Sequence, residues 1–171
     1  DKMFKHRELF GNDENIFDSV GYNIPTGTLL RFPFHEYHTN CDSIDITFEE
    51  NIEEVINMVF KIIDILENNK KVLANYEGVP CLSNPSLNLY LGPAFRDKNQ
   101  LNDMGLNLNI TEAEEQYLND NPNLLYSFMN NVVRLADGEH TIFEISDISQ
   151  VPFGFTLAYL KKMEELDLVK L

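Results

Sequence analysis

Residues 24–50 read IPTGTLLRFPFHEYHTNCDSIDITFEE, and three textures follow one another in that stretch. Between Pro25 and Pro33 lies a short apolar run, Leu29 and Leu30 flanked by Thr28 and Phe32. Bounded by proline and glycine, it predicts a buried strand over Ile24 to Phe34. Polar groups then crowd in: His35, His38, Cys41 and Asp42. Thr47-Phe-Glu-Glu50 supplies a capping box, in which the threonine hydroxyl accepts a free amide while the glutamate reaches back. Ile52, Val55, Ile56, Val59, Phe60, Ile63 and Leu66 follow at helical spacing, with Glu53, Glu54, Asn57, Lys61 and Asp64 mostly opposite. This predicts a helix to about Asn68–Asn69 that packs one face on a sheet. Strand, loop and helix in that order make an α/β unit.

From Lys70 to about Gly105 the periodicity breaks down, with Pro80, Pro85, Gly92 and Pro93 punctuating short runs such as Leu87–Leu91, which predicts an irregular connector with room for one short strand pair. Beyond it, Asn121 is placed to cap a helix and Pro122 to open it. Leu124, Leu125, Phe128, Met129, Val132, Val133 and Ala136 form its apolar stripe, and Asp137-Gly138 stops it. A short helix over Ile142 to Ser149, a turn at Gln150-Val-Pro152, a longer helix from Phe153 and a closing strand at Leu168 to Leu171 complete the outline of a winged helix-turn-helix. The expected organisation is therefore 1–70, 71–105 and 106–171.

The chain has 28 acidic and 13 basic residues, a net charge of −15, which repels phosphate backbones and anionic membrane surfaces and disfavours nonspecific nucleic-acid binding. Its hydrophobic fraction of 43% is enough for a packed core, so disorder is not the default. Cys41 and Cys81 are too few for a disulfide scaffold and fit reducing conditions. The sequence opens on Asp1 without a signal-peptide pattern, and no apolar run has the length of a membrane span. A cytoplasmic chain, itself a fragment, is the expectation.

Taken alone, His35-x-x-His38-x-x-Cys41 offers three donors to one zinc, yet structural zinc sites use paired, separated knuckles and no second pair exists here. The plainer alternative is that both histidines are polar loop residues, because loops at strand ends collect such groups.

The order of motifs adds a further reading. GNDE at 11–14, GYNIPTGTLLR at 21–31, EYHTNCD at 36–42 and LADGEHTIFEIS at 135–146 together resemble the co-catalytic zinc aminopeptidase fold, in particular bacterial peptidase-like proteins with a C-terminal winged helix associated with polysaccharide biosynthesis. The resemblance covers most of the chain. It implies an α/β fold class: the C-terminal part of a zinc-exopeptidase (phosphorylase/hydrolase-like) three-layer fold, followed by an all-α winged helix-turn-helix domain. It also implies that His38 is the last zinc ligand of a site for one or two ions, and that the reaction is metal-assisted hydrolysis with a nearby glutamate as base. The family's other ligands and its base match positions before Asp1, so no catalytic residue is expected in this chain. Asp13 and Glu14 match a motif lining the substrate pocket, with Glu14 standing where broader relatives have histidine. Asp42 either orients the His38 loop or caps a turn, and Tyr37 is pocket wall or plain packing.

The last helix presents Thr156, Tyr159, Lys161 and Lys162 beside Glu164 and Glu165, a poor set for reading DNA. The resulting expectation is a zinc-dependent aminopeptidase-like hydrolase acting on a peptide or amide-containing small substrate. The alternative is a non-catalytic interaction module whose acidic winged helix makes protein contacts. An acidic transcriptional regulator is a third, weaker fit.

Overall fold

The computed structural model describes residues 4, 5, 8, 11, 13–92, 101 and 103–171. Its α-carbon contacts divide into two compact units, Asp1–Asn51 and Ile52–Leu171. The described residues form a mixed α/β protein with six α-helices and one small sheet.

In the first unit, helix α1 is Glu14–Phe17, and a single turn of 3-10 helix covers Ile44–Ile46. Glu14 is the one buried residue among those described here. The strand expected over residues 24–34 is not formed. That stretch has no ladder partner among the described residues, and Leu29, Leu30 and Phe32 stay exposed. A strand is stable only when its amides and carbonyls meet a neighbour, so apolar content alone cannot make one.

Helix α2, Glu49–Asn68, leads into the second unit and follows the expected span closely. Its stripe does not pack on a sheet. Ile52, Ile56, Val59, Phe60, Ile63 and Leu66 are all exposed, Phe60 by 66% and Leu66 by 72%. The far end of α2 is nevertheless tied down. Lys61 pairs with Glu114 at 3.5 Å, the Lys161 ammonium reaches Asn68 Oδ1 at 3.5 Å, and Asn69 Oδ1 accepts the Phe143 amide at 2.9 Å.

The second unit is built on strands β1 (Lys71–Ala74), β2 (Asp137–Thr141) and β3 (Val169–Lys170), paired antiparallel in the order β2-β1-β3. Lys71 faces Thr141, and Leu73 lies between Asp137 and Lys170. Its central strand comes from the 71–105 segment, an expected connector with room for a short strand pair, and the strands β2 and β3 mean that the C-terminal region is not all-α. Four helices complete the unit: α3 (Glu112–Asp120), α4 (Asn123–Leu135), α5 (Ile142–Ser149) and α6 (Phe153–Glu165). The pair α5 and α6 meets through a tight turn at Gln150, whose φ of 54° is left-handed. Ser146 seals that turn by donating to the Val151 carbonyl at 2.6 Å.

The core fills the space between these helices and the sheet. Val72, Leu89, Leu91, Leu125, Phe128, Ile145, Phe155, Tyr159 and Met163 are almost fully buried. Phe128 meets Phe155 and Tyr159 edge to face at 5.6 and 5.2 Å, a geometry that suits ring quadrupoles. Gly154 permits the closest approach: a Cβ there would fall on the Asn109 carbonyl oxygen. Among the described residues, no helix is long and apolar enough to cross a membrane.

Candidate functional site

His38 sits on the loop after Phe34, and its φ of 62° is left-handed, a conformation histidine tolerates better than branched residues do. Thr39 fixes the bend. Its hydroxyl donates to the Glu36 carbonyl at 2.6 Å and accepts the Cys41 amide at 3.2 Å, while its own amide also reaches Glu36 O at 3.0 Å. The reversal lays the His38 imidazole on the Tyr37 ring, with centroids 4.0 Å apart and planes 20° from parallel. Tyr37 in turn meets Phe34 edge to face at 5.5 Å, and Phe34 meets Phe32 at 5.7 Å. A ladder of rings therefore supports the imidazole while leaving it exposed.

Of the residues expected around His38, Tyr37 is brought against it. Asp42 is not: its carboxylate has no hydrogen bond or ion pair among the described residues, and only its amide is held, by the Thr39 carbonyl at 3.2 Å. The loop is thus oriented by the Thr39 hydroxyl. The signal for it in the sequence is the threonine itself, since Ser and Thr side chains commonly close such turns. Asp13 is exposed and precedes α1 without capping it, whereas Glu14 is buried. His35 and Cys41 are exposed, and Cys41 Sγ lies 3.9 Å from Asn40 Oδ1.

Among the described residues, no three His, Cys, Asp or Glu side chains converge on a point that could hold a metal ion. A zinc needs three or four such donors. The described donors, His35, His38 and Cys41 included, therefore do not by themselves fit a zinc.

A second polar constellation sits on β2. The Asp137 carboxylate accepts the amides of Glu139 and His140 at 2.9 and 3.1 Å, and its other oxygen meets His140 Nδ1 at 2.9 Å. Those two amide bonds, and then His140 itself, bring the carboxyl down from 3.8 to about 2. This motif stands within LADGEHTIFEIS at the head of β2, and the α5 start that follows it is capped by Thr141 and Glu144.

In α6, Thr156 and Tyr159 are fully buried. The Tyr159 hydroxyl donates to the Leu89 carbonyl at 2.7 Å, and burial, reinforced by Tyr76, pushes its phenol pKa up. Two of the side chains expected on the exposed face of the last helix are therefore core.

Residues 2–69 match a family described as "Domain of unknown function (DUF4910)". Over 66 residues the chain is 32% identical to a protein of Clostridium acetobutylicum named "Putative polysaccharide biosynthesis protein with aminopeptidase-like domain". That alignment covers 37% of this chain and 15% of the relative's length. No solved structure matches the chain.

Proposed function

We propose that residues 1–70 contribute the last metal-ligand loop of a zinc-dependent aminopeptidase-like hydrolase acting on peptide or amide bonds, with His38 as the ligand. The observation that carries this reading is the left-handed backbone at His38, which presents the imidazole at a loop apex, stacked on Tyr37 and open to solvent. The similarity to a protein named for an aminopeptidase-like domain supports it, although the chain spans only 15% of that protein. The uncovered apolar stripe of α2 also agrees, since a helix of that pattern is built to lie against other polypeptide.

This chain's own residues hold and orient. Thr39 fixes the loop, and Tyr37 restricts the imidazole to one face. Asp13, Glu14 and Asp42 are assigned to the surroundings of the substrate. The remaining zinc ligands and the general base are assigned to polypeptide beyond these 171 residues, so no step of the reaction is placed within them. A cytoplasmic location and a fold of zinc-exopeptidase type followed by a winged helix belong to the same reading.

The test is metal content and hydrolysis of an aminoacyl p-nitroanilide by the full-length protein and its His38→Ala variant. Substoichiometric zinc and a rate reduced by about 100-fold or more are expected from losing a ligand. Unchanged zinc and unchanged rate would overturn the assignment.

A second reading, a protein-contact module formed by the C-terminal helices, is favoured by the burial of Thr156 and Tyr159, which removes them from any groove-reading role. Under it, gel-shift titrations at low salt find no saturable DNA binding. A steep salt-dependent shift would point instead to a regulator.

A further inference from the structure

Between the loop after β1 and the outward side of α4 lies an open groove of about 600 Å3, a size that accepts small ligands and peptide side chains. Its lining joins Val79, Leu82 and Tyr90 to Tyr126, Met129 and Arg134. Leu82 and Met129 are buried and form an apolar base. Val79, Tyr90 and Tyr126 are large, exposed by 83%, 48% and 44%, and gathered round one concavity instead of being scattered. Such clustering marks a binding surface, whereas single exposed apolar residues are ordinary.

Among the described residues, Arg134 is the one charged side chain lining this groove, and it takes part in no ion pair or hydrogen bond there. In a chain with 28 acidic and 13 basic residues, a cation left without a carboxylate beside an apolar hollow is complementary to a single incoming anion. The net charge of −15 repels anything carrying several negative charges, which excludes polyacidic segments and nucleic acid. The backbone groups of Gly78 and Val79 form no hydrogen bond among the described residues, so they are available to an extended main chain.

We propose that this groove binds the free C-terminus of a partner peptide that ends in an apolar residue. The terminal carboxylate pairs with Arg134, and the last side chain sits by Tyr90 and Tyr126 over Met129. The terminal strand of peptide backbone runs along Gly78 and Val79, a mode in which main-chain bonds give affinity and one pocket gives specificity. This inference is independent of the reading of residues 1–70.

Isothermal titration calorimetry with acetyl-Ala-Leu-Phe as the free acid and as the C-terminal amide tests it. The acid is expected to bind saturably and roughly tenfold more tightly than the amide, the gain of one charge-assisted contact. Arg134→Gln should erase that difference, and Tyr126→Ala should weaken both peptides alike. Both side chains are exposed, so melting curves of the variants should match the parent. Absence of saturable heat, equal affinities for acid and amide, or persistence of the acid's advantage in Arg134→Gln would each overturn the proposal. Sedimentation that reveals a dimer broken by Arg134→Gln would overturn it too, by placing a second copy of the chain in the groove.

Discussion

Asp137 illustrates how much one carboxylate can organise. It opens β2, accepts two amides and meets the His140 ring, while Gly138 beside it adopts φ 83°, a value that favours glycine. With a folded value of about 2, below the 3.8 of the free side chain, its stabilising contribution is complete above pH 3.8 and disappears as pH falls through about 2. Asp137→Asn should therefore melt at lower temperature than the parent near neutrality, and the gap should narrow between pH 4 and pH 2. Melting followed by circular dichroism across that range checks the sign; a gap that widens on acidification contradicts it. The sequence marked Asp137-Gly138 only as a helix stop, because a stop and a carboxylate cradle share the same two letters. At His38 the position was legible from the motif, but its left-handed backbone and its stacking on Tyr37 depend on how the Thr39 hydroxyl closes the turn.

Helices are legible in this sequence where amphipathic stripes are long. The span of α2 was legible from its apolar spacing, and α4 to α6 fall within a residue or two of expectation, with Pro122 preceding α4 rather than opening it. Helix α3 has no long stripe to mark it, but Thr111-Glu-Ala-Glu114 is a capping box that announces it. The Thr111 hydroxyl accepts the Glu114 amide at 3.3 Å, and Glu114 accepts the Thr111 amide at 2.7 Å. Burial opposes ionisation of Glu114, but the Thr111 bonds and then Lys61 outweigh it and lower its pKa. Thr111→Ala should cost about 1 kcal/mol, the usual worth of an N-cap side chain, measured by urea unfolding. A change below about 0.3 kcal/mol would show that α3 is held by packing alone. Strands are less legible. The four residues of β1 carry no alternation long enough to recognise, and they are a strand because β2 and β3 flank them. Residues 24–34 hold the better apolar run but pair into no ladder among the described residues, so they form no strand.

At the scale of the molecule, burial divides the two units sharply. Every buried hydrophobic residue among those described lies between Leu82 and Val169 or at Val72, whereas residues 13–51 bury Glu14 alone. Native-state hydrogen exchange should follow that division: amides of Phe128, Tyr159 and Leu160 are expected to exchange only through global unfolding, and those of residues 20–43 at close to unprotected rates. Strong protection across 20–43 in this chain would contradict it. By itself the sequence determined the acidic surface, the spans of the amphipathic helices and the histidine loop, because charge, period and local motif are properties of neighbouring residues. Only the tertiary structure decided which apolar segment became a strand, that Thr156 and Tyr159 turn inward, and that Arg134 lines a groove with Val79 and Tyr90. Those outcomes rest on contacts between residues far apart in the chain, where hydrogen-bond pairing and burial, rather than local preference, select the conformation.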